Sequence, residues 1–383
     1  MAILKYCLCV FVLLSVSQTD ALFGRRFRIR LGGARCSSKI RCVSCTNHKS
    51  WSGSSCRWCP RDKKCHAHGA IFANPCSRTQ NVVSASACSK IVTATYQRDL
   101  AFKMVYLSAL AYADTVANYV QRATEVSSFR VIRQVTERCQ GNAKCSGFIA
   151  VSHSERAIAV SFRGSQHTNQ VVVQALKILS VPKVRFQAGG KVQKYFNDVF
   201  VSIWKRLKYD VYRQIRRYPN YKVWVTGHSL GGALASLAST VLSYEKRKPE
   251  ANIFLYTFGQ PRVGDYRYAL QHDKLVPISF RVTHYRDPVV HLPTCKTLLP
   301  GTPCIANTGG PYHHGKEIHY GNAVMTKTSS YKKCQGLPHN EDLGCSNNPK
   351  VWLQCFAGIN NLQNCINDHM VYFGVRVGVW WKN

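Results

Sequence analysis

Gly227-His228-Ser229-Leu230-Gly231 places a serine hydroxyl between two glycines in a Gly-x-Ser-x-Gly pentapeptide. A nucleophilic serine needs this arrangement when it must project from a sharp turn between a strand and a helix. Glycine has no Cβ, so strand and helix can approach each other closely around the turn. The hydroxyl is a weak nucleophile alone and requires a histidine base, which in turn requires an orienting carboxylate. In strand–turn–helix hydrolases the chain order is Ser, then Asp, then His.

Asp287 is the leading acid, in Arg281-Val282-Thr283-His284-Tyr285-Arg286-Asp287-Pro288, with Asp265 and Asp273 as competitors. It follows an apolar run and would emerge on a loop at a strand end, where open α/β sheets build their sites. Beyond it lie His291, His313, His314, His319 and His339 as candidate bases. His291 is too near Asp287 to occupy a separate loop. His313 and His314 stand in the turn-forming segment Gly309-Gly310-Pro311-Tyr312-His313-His314-Gly315.

These groups need a scaffold, and the surrounding patterns supply one. Lys222 to Val225 reads as a strand leading into the serine, and Gly232 to Tyr244 as an Ala/Leu-rich helix leaving it. That helix would direct its positive dipole end at the site. Phe148 to Val151, Ala157 to Phe162, Ile253 to Phe258 and Ile278 to His284 read as further strands. A helix opens near Leu100. Asn197 to Arg217 is amphipathic, with Val199, Ile203, Leu207, Val211 and Ile215 on one face and six Lys or Arg off it. Strands alternating with helices predict a largely parallel α/β sheet.

The chain of 383 residues is 45% hydrophobic and 18% charged, which excludes disorder as the default and allows a large domain plus a small one. Lys and Arg number 52 against 18 Asp and Glu, for a net charge of +34. Such a surface attracts polyanions, and an anionic membrane is one candidate. Nucleic acid is argued for by charge alone, since no RNP, KH or helix-turn-helix signature accompanies it. Residues 1–21 read as a signal peptide: Lys5, an apolar stretch to about Val16, then small residues at Ser15, Ser17 and Ala21. Secretion into an oxidising space is expected.

Of 18 cysteines, Cys7 and Cys9 would leave with the signal, and the sixteen left are even in number. Eight of them fall between Cys36 and Cys88 in a polar segment that cannot fold on an apolar core and needs staples. Cys42-x-x-Cys45 and Cys56-x-x-Cys59 could cage zinc, but the short gap between them and the secretory leader favour disulfides. No metal and no cofactor are expected. With Trp58 inside Cys56-Arg57-Trp58-Cys59, and Cys65 soon after, this segment resembles a plexin–semaphorin–integrin (PSI-type) module. The likeness implies a positioning or interaction role for residues 22–90, with a protein partner that is unknown.

Residues 91–383 resemble the class 3, fungal-type lipases. Four ordered blocks carry the likeness: Ala157-Ile158-Ala159-Val160-Ser161-Phe162-Arg163-Gly164-Ser165, the Gly227–Gly231 pentapeptide, Thr257-Phe258-Gly259-Gln260-Pro261-Arg262-Val263-Gly264, and Asp287-Pro288-Val289-Val290-His291-Leu292-Pro293. The resemblance implies an α/β hydrolase fold with Ser229 as nucleophile and Asp287 as acid. The family's base stands four residues before a Glu. Glu317 is that Glu, which selects His313, with His314 adjacent as the alternative. His319 stands where the family usually has Trp. The oxyanion hole would use the N–H of Leu230 and of Ser165. Residues 166–181, rich in Val, Leu and Ile, would form the lid, with Asn169-Gln170 where the family often has Asn-Trp.

The expected function is a secreted lipase that hydrolyses acylglycerol esters at a lipid–water interface through an acyl-enzyme. Phospholipase A1 or general carboxylesterase activity is the alternative among enzymes. An extracellular binding protein on an inactive hydrolase scaffold is the alternative from another class.

Overall fold

A computed structural model describes residues 35–39, 42–50, 53–59, 62, 64–69, 74–76, 81–84, 95–140, 143–165, 182–299, 302, 304–306, 309–334, 340–348, 353–355 and 357–382. The expected signal peptide and the expected lid over 166–181 lie outside the described residues.

The centre is an eight-stranded sheet in the order β14-β13-β11-β9-β8-β5-β4-β3. Its middle is parallel: β5 (Ala157–Phe162), β8 (Lys222–His228), β9 (Ile253–Phe258), β11 (Ser279–His284) and β13 (Lys316–Tyr320) run the same way. Every residue of β5, β9 and β11 is buried. That is the signature of strands covered on both faces, and it explains their unbroken apolar character. The edges are antiparallel. β3 (Arg130–Gln140) and β4 (Ala143–Ser152) close one side, and β14 (Lys332–Lys333) the other. The long hairpin partner β3 escapes sequence reading because its exposed residues carry polar side chains in no clear alternation.

Two cores flank the sheet. On one face, Val199, Ile203, Leu207, Val211 and Ile215 of the long helix Lys194–Arg217 meet Leu234, Leu237 and Val241 of the helix Leu230–Tyr244. On the other, Leu100, Met104, Leu107 and Leu110 of the helix Arg98–Leu110 pack with Phe148, Trp224, Tyr256 and Phe280. The stripe predicted for the amphipathic helix is therefore the buried one, and its cations face outward. A second sheet, β12-β10-β7-β6, is built from two- and three-residue strands: β6 (Lys183–Arg185), β7 (Lys191–Gln193), β10 (Gly264–Asp265) and β12 (Pro311–Tyr312).

The N-terminal segment holds the hairpin β1 (Arg57–Cys59) and β2 (Lys64–His66). Disulfides Cys36–Cys56, Cys45–Cys65 and Cys59–Cys76 surround Trp58, and Cys42 is also disulfide-bonded. All four cysteines of the two Cys-x-x-Cys pairs are thus oxidised, which removes the thiolates a zinc cage would need. Four further disulfides staple the loops of the larger domain: Cys139–Cys145, Cys295–Cys304, Cys334–Cys345 and Cys355–Cys365. Among the described residues, no helix is long and apolar enough to cross a membrane.

Candidate active site

Strand β8 ends at His228 and the next helix begins at Leu230, so Ser229 alone makes the turn. It does so at φ 58° and ψ −128°, in the left-handed region that costs a non-glycine residue on the order of 1–3 kcal/mol. The neighbouring glycines make the turn possible. A Cβ on Gly227 would stand 2.3 Å from the carbonyl carbon of Gly231, and one on Gly231 would stand 2.1 Å from the carbonyl oxygen of Phe162. The Ser229 N–H donates to the Phe258 carbonyl at 2.9 Å, pinning the turn to β9. Leu230 is the first helical residue, so its N–H is one of the helix's donors without an intrahelical acceptor. Ser165 follows β5 and is half-buried. Gly164 must be glycine, since a Cβ there would lie 2.1 Å from the Tyr112 hydroxyl and 2.7 Å from the His228 carbonyl oxygen.

Asp287 emerges from the end of β11 and is 1% exposed. Three donors converge on its carboxylate. The Val289 N–H reaches Oδ1 at 2.8 Å, the Tyr372 hydroxyl reaches Oδ2 at 2.6 Å, and Nδ1 of His369 lies 2.9 Å from both oxygens. Burial pushes the carboxyl up, but the His369 ring with its hydrogen bond, Tyr372 and Val289 together hold it below the usual value. An ionised carboxylate only accepts, so the proton sits on Nδ1 and the lone pair on Nε2. That Nε2 atom is buried and has no hydrogen-bond partner among the described residues.

His369 comes from the helix Ile359–Met370, near its C-terminal end. Three contacts fix that helix against the Asp287 loop. The Cys355–Cys365 disulfide ties it to the preceding segment, Ile366 packs on Val289, and Cys355 Sγ lies 3.3 Å from the Arg286 carbonyl oxygen. The short hairpin β15 (Val371–Tyr372) and β16 (Val375–Arg376) then carries Tyr372 to the carboxylate.

His369 also abuts the elbow. The rings of His228 and His369 are 4.4 Å apart, and His228 Nε2 donates to the His369 carbonyl at 2.7 Å. His228 Nδ1 must then accept, and it does so from the Tyr112 hydroxyl at 2.8 Å. The Gly164 N–H donates in turn to that hydroxyl. Burial drives His228 down to about 3, so the ring stays neutral and serves as a fixed spacer. The Arg163-Gly164-Ser165 segment, the residue before the nucleophile and the residue that pairs with Asp287 thus share one chain of hydrogen bonds.

The expectation that His313 meets Asp287 is corrected by this geometry. His313 Nε2 donates to the Val290 carbonyl at 2.8 Å, and its backbone N–H is held by Glu341 at 2.9 Å. His314 Nε2 bonds instead to the hydroxyl of Ser236, in the helix Leu230–Tyr244, at 2.7 Å. The cations Arg281 and Arg262 border His313 and depress it, after burial itself, well below the ordinary histidine range. A ring placed there cannot take up a proton cheaply. Glu317, which selected His313 by spacing, instead accepts from Arg281, the Thr283 hydroxyl and the Ser346 N–H. His319 bonds to Thr283 and His291 is buried near Arg262.

Sequence reasoning missed His369, Tyr372 and Tyr112. His369 met the order requirement of lying after Asp287. It sits in a helix near the C-terminus, where no glycine-rich turn marks it. The cysteines ten residues apart that tether its helix were the available signal. Nothing in the local sequence marks either tyrosine.

Known proteins resemble this chain in sequence and in fold. A family model described as lipase (class 3) matches residues 159–297. A lipase from Caenorhabditis elegans is 36% identical over 298 residues, covering 74% of this chain and 81% of the relative. The chain belongs to the class 3 lipase family. Its closeness in fold extends to solved structures. The lipase from Rhizopus microsporus var. chinensis superposes with a TM-score of 0.61 at 28% identity, over 75% of this chain and 91% of that one. A triacylglycerol lipase whose catalytic centre is described as a serine protease triad superposes at a TM-score of 0.60 with 26% identity, over 75% of this chain and 99% of that one. The fold is that of the α/β hydrolases. Membership makes the protein a lipase, a hydrolase whose substrates are lipid esters, and an enzyme rather than a binding scaffold.

Proposed function

We propose that this lipase is a secreted enzyme that hydrolyses acylglycerols through a triad of Ser229, His369 and Asp287. The observation that carries the reading is the pairing of His369 Nδ1 with both Asp287 oxygens at 2.9 Å beside the strained Ser229 elbow. Nε2 of His369 removes the Ser229 proton as the oxygen attacks the ester carbonyl. The resulting oxyanion is held by the N–H groups of Leu230 and Ser165. His369, now imidazolium and stabilised by Asp287, passes its proton to the leaving alcohol. Water, deprotonated by the same Nε2, attacks the acyl-enzyme, and Ser229 is restored as the fatty acid departs. The disulfides of the N-terminal segment and of the loops support an oxidising compartment.

The test is turnover of emulsified triacylglycerol and of a soluble short-chain ester by wild type and Ser229→Ala. Wild type should cleave both, and the variant should lose about 10⁶-fold in kcat. An alkylphosphonate should label Ser229 in wild type and nothing in the variant. Hydrolysis retained by Ser229→Ala would remove the reading altogether.

A further inference from the structure

We propose that His284 is a positioning residue of this lipase: its doubly protonated ring clamps the end of the base-bearing helix and so sets His369 against Asp287. The proposal rests on the reading of Ser229, His369 and Asp287 as the triad.

His284 closes β11 and is 1% exposed. Its Nδ1 lies 2.9 Å from the Asp368 carbonyl oxygen, and its Nε2 lies 3.0 Å from the Asn322 carbonyl oxygen. Both are hydrogen-bond distances, and a backbone carbonyl can only accept. A neutral imidazole has one donor nitrogen and one lone pair. It would satisfy one carbonyl and turn its lone pair on the other. Turning the ring over would present C–H groups to both. Two donor nitrogens exist only in the imidazolium. His228 shows the contrast within the same site. Its Nε2 donates to a carbonyl, its Nδ1 accepts from the Tyr112 hydroxyl, and one ring proton serves both bonds.

The Asp368 carbonyl belongs to the last turn of the helix Ile359–Met370, directly before the base. The last four carbonyls of a helix have no intrahelical donor and carry the negative end of its dipole, where a cation is favoured. Three of them are met here: Asp368 by His284, His369 by His228, and Met370 by the Val377 N–H at 2.9 Å.

The backbone of His284 serves the acid as its ring serves the base. Its carbonyl accepts from the Asp287 N–H at 2.9 Å. Its N–H donates to the Tyr372 hydroxyl, which donates to the Asp287 carboxylate. One residue therefore fixes both members of the pair. The titratable and charged groups around the ring are the Asp368 carboxylate with its partner Arg286 at 3.2 Å, Asp287 in the same loop, His319 of β13, and Tyr372, whose ring is 5.9 Å away. Loss of the second ring proton would set a lone pair against a carbonyl and displace the end of the helix. A displacement of about 1 Å at a catalytic group costs on the order of 10²-fold in rate.

The experiment has two readouts. Ring spectra of the full chain carrying nitrogen-15 histidine report which ring nitrogens hold protons, with no need for turnover. At about pH 7 both His284 nitrogens should be protonated, the signal being identified by its loss in His284→Gln and in His284→Asn. The second readout is kcat and KM on a soluble ester from about pH 6 to about pH 10. His284→Gln can donate from its amide to one carbonyl but turns its oxygen on the other, so it imitates the ring with one proton missing. Its kcat should lie about 10²-fold below wild type, with KM within about twofold. Wild type should lose kcat on the alkaline side as the second proton leaves, and the variant should lack that limb. An unprotonated His284 nitrogen at about pH 7 would overturn the proposal, as would an alkaline side of the same shape in both enzymes. A wild type that holds both ring protons yet cleaves no ester would sink the catalytic reading and leave the two-proton clamp standing.

Discussion

Two pairs of buried histidines differ in what their rings are given to bond. In one, His369 and His228 stand 4.4 Å apart. In the other, His272 and His314 stand 3.7 Å apart. All four rings are at most 1% exposed. His369 has a carboxylate against Nδ1 and an Nε2 with no hydrogen-bond partner among the described residues. His272 has both nitrogens occupied by hydroxyls, Thr240 at 2.8 Å and Ser279 at 3.1 Å, and His314 bonds to Ser236 with Arg281 nearby. Among these four rings, burial without a hydrogen-bonded carboxylate makes a neutral strut. Burial with one fixes the tautomer and leaves Nε2 as an acceptor.

The largest effect should come from breaking the first cluster at its carboxylate. Asp287→Asn keeps the shape but presents an amide that can donate to Nδ1, which favours the wrong tautomer of His369. We expect kcat to fall about 10⁴-fold while the protein stays folded. Steady-state rates on a soluble ester, read beside a circular dichroism melt, would check both halves. A variant within tenfold of wild type would mean that Asp287 does not orient the base.

The second cluster should declare itself in stability. Burial lowers His272 to about 4, against an unfolded value near 6.5. Between those values the unfolded chain binds a proton that the native chain does not. Stability is therefore intact above about pH 6.5 and is lost as the pH falls toward 4, at about 1.4 kcal/mol per pH unit for each such histidine. His313 and His314 are displaced in the same direction. Denaturant melts between pH 7 and pH 4.5 should show a steep decline in wild type and a shallower one in His272→Gln, whose amide can still bond to the hydroxyls. Equal slopes would show that His272 is not held neutral.

The contrast also explains what could be read in advance. The strands β5, β9 and β11, the elbow and the position of Asp287 follow from local rules. A buried strand must be apolar, and a turn this tight must be flanked by glycine. Asp287 follows a strand that any such sheet would end there. The base obeys no local rule. His369 reaches Asp287 because a disulfide, the packing of Ile366 on Val289 and a two-strand hairpin bring a late helix across the site. Glu317, the spacing cue that pointed to His313, is consumed by a buried pair with Arg281. A pattern four residues long could not reveal that an arginine from a neighbouring strand had taken it.

The account turns on which histidine serves Ser229, and one measurement addresses that directly: kcat/KM on a soluble ester for His369→Ala beside His313→Ala. We predict a loss of about 10⁶-fold for the first, comparable to removal of the serine, and less than tenfold for the second. A His369→Ala enzyme that keeps its activity while His313→Ala loses it would contradict the account.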